Sequence, residues 1–178
     1  MIEDVIKRIK QLNNGIIAID GESGSGKTMI ASMIKDKLGD DCEIVDLDWF
    51  LPGKSKLLNP PIRLITSRVI DLLEKYQKSQ DKLEVLCHDC SKDNDYIKVI
   101  HHKRYLIIEG CYALTNIFSK YVDLKLFVKA SEATCDIRRS LRKDDFNLRY
   151  HNYWEKDWKE YLELEEPMLK ADMVIENE

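Results

Sequence analysis

The apolar residues of this chain follow two patterns that alternate along its length. Short and nearly continuous apolar runs predict β-strands, and they occupy residues 16–19, 42–50, 82–87, 96–102, 104–110, 123–130 and 171–177. Other segments carry apolar residues three or four positions apart, which predicts amphipathic helices; these are residues 1–12, 29–38, 59–77, 131–144 and 152–169. Alternating strands and helices favour an α/β fold with a mostly parallel sheet and helices on both faces.

The connection between the first strand and the next helix consists almost entirely of small residues and reads "GESGSGKT". Glycines let backbone N–H groups curl around an anion, and the dipole of the following helix points at the same spot. A lysine in this pattern reaches the β- and γ-phosphates of a nucleotide, and the threonine hydroxyl can bind Mg²⁺. The pattern therefore predicts a phosphate-binding loop, with the nucleotide held by Gly21, Glu22, Ser23, Gly24, Ser25, Gly26, Lys27, Thr28 and Met29.

Carboxylates lie at the ends of three of the predicted strands. Asp20 ends the first strand, Asp48 falls near the end of the second, and Glu109 follows the apolar run "YLII". Ligands of parallel α/β sheets bind beyond the carboxyl ends of the strands. We therefore expect these three acids to lie near the phosphate-binding loop, as a phosphoryl-transfer site requires.

Composition and charge narrow the classes of partner. Of the 178 residues, 44% are hydrophobic and 34% are charged, which is ordinary for a globular domain. The formal net charge of −4 disfavours nucleic acid and anionic membranes as partners, and no apolar run approaches the roughly 20 residues of a membrane span. The first residues form an amphipathic pattern that includes Glu3 and Asp4, unlike a signal peptide, so we expect a cytoplasmic protein.

The five cysteines form an odd set without a secretion signal, which indicates free thiols. Cys87 and Cys90 flank His88 in a "CHDC" run that could serve a zinc or redox site. No second pair with ligand spacing follows. The alternative, in which the cysteines are small buried hydrophobic residues, is therefore favoured.

Five motifs in a fixed order resemble those of the uridine kinase and phosphoribulokinase group of P-loop kinases, and the chain is similar to nicotinamide riboside kinase as well. The motifs are "GESGSGKT", "DLDWF", "YLIIEG", "RRSLRKD" and "PMLKADMVI", and they extend over nearly the whole chain. The resemblance implies that residues 1–178 form a single P-loop kinase domain with a three-layer fold. Its sheet would be five-stranded and mostly parallel, with a small helical lid at about 131–149, and its cofactors would be ATP and Mg²⁺.

The resemblance also implies roles for residues around the acceptor and the metal. Asp48 would accept the proton of the acceptor hydroxyl, with Phe50 beside it. Asp46, two residues earlier, would share the face of Asp48 on a continuous strand and is the reserve candidate for that role. Glu109 would hold Mg²⁺ together with the hydroxyl of Thr28.

The motif "DIRRSLRKDD" matches the lid of this group. Guanidinium groups suit phosphate oxygens, so Arg138 and Arg142 would join Lys27 and Asp48 as catalytic residues, and Arg139 would bind the nucleotide. The alternative is a solvated helix whose arginines pair with Asp144, Asp145 and nearby glutamates.

The acceptor side departs from the pattern of the group. Leu51 stands where a tyrosine is usual, and a Tyr-Asp-Phe run is replaced by His88-Asp89-Cys90. Only Asp89 remains as a candidate substrate ligand, together with Asp48 and Phe50. These changes leave the identity of the acceptor open.

The sequence thus predicts ATP-dependent phosphoryl transfer to a hydroxyl of a small metabolite, with a nucleoside as the leading acceptor. The alternatives are a kinase of another small acceptor, such as a cofactor precursor, and a non-catalytic nucleotide-binding regulatory module. An Asn-Lys-x-Asp run that would read guanine in a GTPase is absent from the sequence. The expected partners are ATP and the acceptor, with no nucleic acid and no membrane, and a homo-oligomer is left open.

Overall fold

The computed structural model describes residues 1–52, 61–78, 81–89, 92–142 and 146–178. Cys90, half of the proposed cysteine pair, lies outside the described residues. So do residues 143–145, which belong to the expected lid and include Asp144 and Asp145.

Seven strands and seven helices are present in the described part of the chain. The strands are β1 (Gly15–Asp20), β2 (Cys42–Asp46), β3 (Lys82–Asp89), β4 (Asn94–His101), β5 (Tyr105–Glu109), β6 (Leu124–Lys129) and β7 (Met173–Glu176). The helices are α1 (Ile2–Gln11), α2 (Lys27–Leu38), α3 (Thr66–Gln77), α4 (Glu132–Ser140), α5 (Phe146–Tyr153), α6 (Glu155–Glu165) and α7 (Pro167–Lys170). Short 3₁₀ turns occupy Gly39–Asp41, Leu47–Phe50 and Asn116–Phe118.

Five strands form one parallel sheet in the order β2-β5-β1-β6-β7. The three-layer fold expected from the sequence is confirmed, since apolar residues pack on both faces of this sheet. On one face, Ile9 of α1 and Ile30 of α2 cover Ile17 of β1. On the other face, Val69 of α3 and Tyr161 of α6 pack over the remaining side chains. Burial on both faces explains why the central strands are continuous apolar runs.

The runs at 82–87 and 96–102 form strands, but these strands do not join the main sheet. β3 and β4 pair with each other as an antiparallel hairpin, with Val85 opposite Lys98 and Leu86 opposite Ile97. The inner face of the hairpin contributes Val85 to the core beside α3. Its position beside the 47–50 turn brings it to the same end of the molecule as the strand termini.

Several predicted elements have different boundaries in the structure. The helix expected at 59–77 begins only at Thr66, and the helix expected at 131–144 ends at Ser140. The run at 42–50 is a strand only as far as Asp46, where the Asp46 side chain accepts a hydrogen bond from the backbone N–H of Asp48 and begins a 3₁₀ turn. The helix expected at 152–169 is divided, because Glu166 adopts a left-handed conformation with φ 43° and Pro167 starts the separate α7. Within the described residues, none of the helices has the length and apolar character needed to cross a membrane.

Candidate active site

The phosphate-binding loop connects β1 to α2 at the carboxyl edge of the sheet. α2 begins at Lys27, so the first N–H groups of the helix have no partner within it and point toward the loop. Gly21 and Gly24 have φ values of 150° and 91°, and a Cβ at either would lie 2.2 Å from the carbonyl oxygen of Val128 or 2.7 Å from that of Cys135. Only glycine fits these positions, because the loop turns in close contact with β6 and α4.

The carbonyl oxygens on the outer side of the loop are held by side chains from distant parts of the chain. The Nη1 group of Arg138 donates to the carbonyls of Gly24 and Ser25, both at 3.3 Å. Asn177, just after β7, donates from Nδ2 to the carbonyl of Ser25 at 2.6 Å. Arg139 donates to the carbonyl of Ser23 at 2.6 Å. These bonds fix the shape of the cradle before a ligand arrives.

Lys27 is buried at the base of the loop, with 7% of its surface exposed. Its Nζ donates to the carbonyl oxygen of Glu22 at 2.9 Å and contacts the Sγ of Cys111 at 3.7 Å. Burial alone would lower the pKa of Lys27, but Cys111 and the surrounding carboxylates, including Glu109, together raise it above its ordinary value. The ammonium group is therefore charged and directed into the cluster of strand ends.

Two carboxylates meet at the ends of neighbouring strands, where Asp46 of β2 is in register with Glu109 of β5. Glu109 is 3% exposed and hydrogen-bonds the side chain of Thr28. Burial, reinforced by the nearby Asp46, raises the pKa of Glu109 to about 7. Burial together with repulsion from Asp48 raises the pKa of Asp46 to about 6. The carboxylates of Asp46 and Glu109 thus hold a proton more tightly than exposed carboxylates do.

This arrangement fits a divalent cation. Oxygen ligands suit Mg²⁺, and the side chains of Thr28 and Glu109 interact here. Metal binding by these two residues stays a prediction. The part of the chain that the structure describes has no cluster of three or more His, Cys, Asp or Glu side chains that could hold a metal alone. A cation here would need further ligands from phosphate oxygens and water, as is usual for Mg²⁺ bound with a nucleotide.

Asp48 lies in the Leu47–Phe50 turn and its side chain is exposed. The expectation that Asp46 and Asp48 share one strand face is wrong, because β2 ends at Asp46 and the backbone turns there. Asp46 is half-buried and accepts the N–H of Asp48 at 2.8 Å. Asp48 is thus the more accessible of the two carboxylates, and the structure places it near Lys27, whose pKa it helps to raise.

The other two residues expected beside the acceptor occupy different environments. Phe50 is completely buried in the core, where it can support the Asp48 turn but does not line an open surface. Asp89 ends β3 and accepts a hydrogen bond from the N–H of Lys92 at 3.3 Å. The adjacent His88 is buried and its Nδ1 lies 2.9 Å from Asp95. Asp89, at the tip of the hairpin, is therefore more accessible to a ligand than Phe50.

The sequence reasoning missed a lysine on the inner face of the hairpin. The Nζ of Lys98 lies 3.4 Å from the ring centre of Trp49, next to Asp48. Lys98 also lowers the pKa of Asp46, against the larger effect of burial. The sequence could have indicated this position. Successive side chains of a strand point to opposite faces, so Lys98, two residues from the buried Ile100 of β4, lies on the same face as Ile100.

Asp20 has a structural role that the sequence did not reveal. It is 0% exposed, and its carboxylate accepts the N–H groups of Gly21 (2.7 Å), Tyr112 (3.1 Å) and Leu114 (2.9 Å) and the hydroxyl of Tyr161 (2.5 Å). Burial raises its pKa, and the hydrogen bonds from Tyr161, Leu114 and Gly21 oppose that shift. Asp20 therefore joins the loop to the segment after β5 and to α6. Both of its carboxylate oxygens already accept hydrogen bonds within the protein.

The three arginines of the expected lid differ in placement. Arg138 is bound to the outer side of the loop through the carbonyls of Gly24 and Ser25, and Arg139 is 0% exposed and stacked on the ring of Tyr150 at 3.9 Å. Arg142 is exposed, with its guanidinium 4.8 Å from the ring of Phe146. Of the three, Arg142 occupies the solvated position described by the alternative interpretation, and phosphate binding by any of them stays a prediction.

Cys87 and the other described cysteines are free thiols, and all except Cys111 are buried. The Sγ of Cys87 contacts the carbonyl of Val85 at 3.5 Å. This placement agrees with the packing role preferred for them, while the proposed pairing with Cys90 lies outside the described residues.

The fold resembles that of several solved structures. A possible uridine kinase from Bacillus stearothermophilus superposes with a TM-score of 0.76 at 20% sequence identity, covering 98% of this chain and 96% of the other. A candidate fructose transport system kinase from Silicibacter sp. TM1040 gives a TM-score of 0.70 at 16% identity, covering 98% of each chain. A candidate P-loop kinase from Saccharomyces cerevisiae with a circular permutation gives 0.64 at 12% identity, covering 99% of this chain and 98% of the other.

No protein-family model matches the sequence, and no curated protein matches it either. The solved structures nevertheless confirm the resemblance to uridine kinase-like P-loop kinases for the fold, over almost the full length of the chain.

Proposed function

We propose that the protein is an ATP-dependent kinase that transfers a phosphoryl group to a hydroxyl of a small metabolite, with a nucleoside as the leading acceptor. The observation that carries the proposal is the meeting of Lys27, Glu109 and the exposed Asp48 at one edge of the sheet, next to a preformed phosphate loop. The fold shared with P-loop kinases supports it.

Each residue has a distinct role in this proposal. The N–H groups at the start of α2 bind phosphate oxygens, and Lys27 exchanges its bond to the Glu22 carbonyl for the phosphates as the nucleotide arrives. Thr28 and Glu109 would hold Mg²⁺, which neutralises charge on the transferred group. Asp48 accepts the proton of the acceptor hydroxyl and orients it.

One feature of the hairpin supports the alternative acceptor class, in which the acceptor is another small metabolite such as a cofactor precursor. His88 stands where uridine kinase-like proteins usually have a tyrosine, and its Nδ1 already contacts Asp95. Lys98 adds a cation beside Trp49. A surface of this kind differs from the one expected for uridine. We also propose that the protein is cytoplasmic and that neither nucleic acid nor a membrane is among its partners.

Acceptor-dependent release of ADP tests the proposal. The purified protein is incubated with Mg²⁺ and ATP, or GTP in parallel, and with single members of a nucleoside and cofactor-precursor panel. We expect turnover with at least one acceptor and loss of turnover in Lys27→Ala. Nucleotide binding without turnover for any acceptor would instead indicate a regulatory module.

A further inference from the structure

Arg139 lies entirely within the protein although it comes from the arginine-rich segment expected to bind phosphate. Its Nε donates to Asn147 Oδ1 at 2.9 Å, and its Nη1 donates to Glu22 Oε1 at 2.8 Å. Its Nη2 hydrogen-bonds Asp136. The guanidinium is 0% exposed and stacks on Tyr150. A phosphate could reach it only by displacing these partners.

Glu22 is the unusual partner in this set, because it belongs to the phosphate-binding loop itself. Its carbonyl oxygen accepts Lys27 Nζ at 2.9 Å, while its Oε1 accepts both Arg139 and the hydroxyl of Tyr150 at 2.9 Å. An unpaired carboxylate on this loop would repel the phosphates that the loop binds. Arg139 and Tyr150 hold that carboxylate on the lid side and neutralise its charge.

We propose that Arg139 acts as a positioning residue, which promotes nucleotide binding by neutralising and anchoring Glu22 rather than by touching a phosphate. This inference rests on the proposed function, in that the loop must bind a nucleoside triphosphate. It differs from direct phosphate binding in a measurable way. If Arg139 works through Glu22, removing both charges is less harmful than removing the arginine alone.

Other charged groups around Arg139 do not replace Glu22 in this role. Asp136 is shared with His151, whose Nε2 lies 3.2 Å from it, and His151 Nδ1 in turn contacts Glu155 at 2.7 Å. These groups join α4, α5 and α6 on the outer side of the lid. Of the two carboxylates that Arg139 contacts, only Glu22 belongs to the phosphate-binding loop.

Isothermal titration with ATP of the wild type, Arg139→Gln, Glu22→Gln and the double variant tests the proposal. We expect Arg139→Gln to weaken ATP binding about tenfold or more, because it leaves the Glu22 carboxylate unpaired near the phosphates. Glu22→Gln keeps an oxygen acceptor for Arg139 and Tyr150 but removes the negative charge near the phosphates, and it should bind ATP about two- to fivefold tighter than the wild type. The double variant should recover to within about threefold of the wild type.

Two results would overturn the proposal. A double variant as weak as Arg139→Gln would mean that Arg139 binds phosphate directly. Weaker ATP binding by Glu22→Gln would mean that its charge is needed to shape the loop. If Arg139→Gln does not fold, as judged by circular dichroism, the Glu22→Gln result alone decides.

Two controls separate this inference from the proposed function. Inorganic triphosphate should follow the same order of affinities as ATP, whereas adenosine, which has no charge, should not distinguish the variants. The double variant Glu3→Gln/Lys37→Gln removes an exposed pair between α1 and α2, bonded at 2.7 Å, and should bind ATP normally. Failure of the wild type to bind ATP would contradict the proposed function, while normal binding without recovery in the double variant would contradict only this inference.

Discussion

Replacing Glu109 with glutamine should have opposite effects on stability and on activity. The carboxylate of Glu109 is 3% exposed, lies beside Asp46 and bonds the side chain of Thr28. Glutamine has nearly the same shape and can keep the bond to Thr28, but it carries no charge. Glu109→Gln should therefore stabilise the metal-free protein above neutral pH and greatly reduce Mg²⁺-dependent turnover.

The size of the stabilisation follows from the pKa of Glu109, which burial raises from 4.5 to about 7. At about 1.4 kcal/mol for each pH unit, this rise corresponds to about 3 kcal/mol of unfavourable ionisation in the folded state. The folded state binds the proton more tightly than the unfolded chain. Stability is therefore lost as the pH rises from about 4.5 to about 7, and above that range the full cost is present.

Chemical unfolding in metal-free buffer across this pH range measures the effect. We expect the free energy of unfolding of Glu109→Gln to exceed that of the wild type by up to about 3 kcal/mol at pH 8, with the difference shrinking toward pH 5. Glu43→Gln on the same sheet, at a half-buried position, provides the control. A variant that is less stable than the wild type at pH 8, or a difference that does not change with pH, would refute this reasoning.

Three further predictions concern single residues. Lys27→Ala should reduce turnover by about 10²–10³, as the loss of a contact to developing charge does, and near-normal turnover in a folded variant would contradict the loop assignment. Asp48→Asn should retain ATP affinity in calorimetry while turnover collapses; a parallel loss of both would make Asp48 structural or a metal ligand and return Asp46 as the candidate base. Tyr161→Phe removes a hydroxyl bonded to Asp20 at 2.5 Å and should lower the free energy of unfolding by about 1–3 kcal/mol; unchanged stability in urea unfolding would show that Asp20 does not need this donor.

The fold and the phosphate loop could be predicted from the sequence because they depend on local patterns. Continuous apolar runs identified β1 and β5, and the glycine spacing identified the loop. The geometry around Asp48 could not be predicted, since β2 ends at Asp46 and the chain enters a 3₁₀ turn there, with a hydrogen bond from the Asp48 N–H to the Asp46 side chain. A strand pattern and a strand followed by a 3₁₀ turn have the same alternation over so short a segment.

Contacts between distant segments could not be predicted from the sequence either. Nothing in the local pattern distinguishes Arg139 from Arg138 or Arg142, yet only Arg139 becomes fully buried against the loop. Its partner Glu22 lies 117 residues away in the chain. The four donors to Asp20 likewise come from three separate segments, so an acid that appeared to belong to the reaction proves to be part of the framework.

In the proposed reaction, this site moves the γ-phosphoryl group of ATP to an acceptor hydroxyl. Mass spectrometry of a reaction containing ATP labelled with ¹⁸O in the γ-phosphoryl group, Mg²⁺ and the acceptor that most stimulates ADP release measures this transfer directly. We expect the labelled phosphoryl group on the acceptor in amounts equal to the ADP formed, and none in the Lys27→Ala reaction. Label found only in inorganic phosphate would contradict the account, since the protein would then hydrolyse the nucleotide instead of phosphorylating a metabolite.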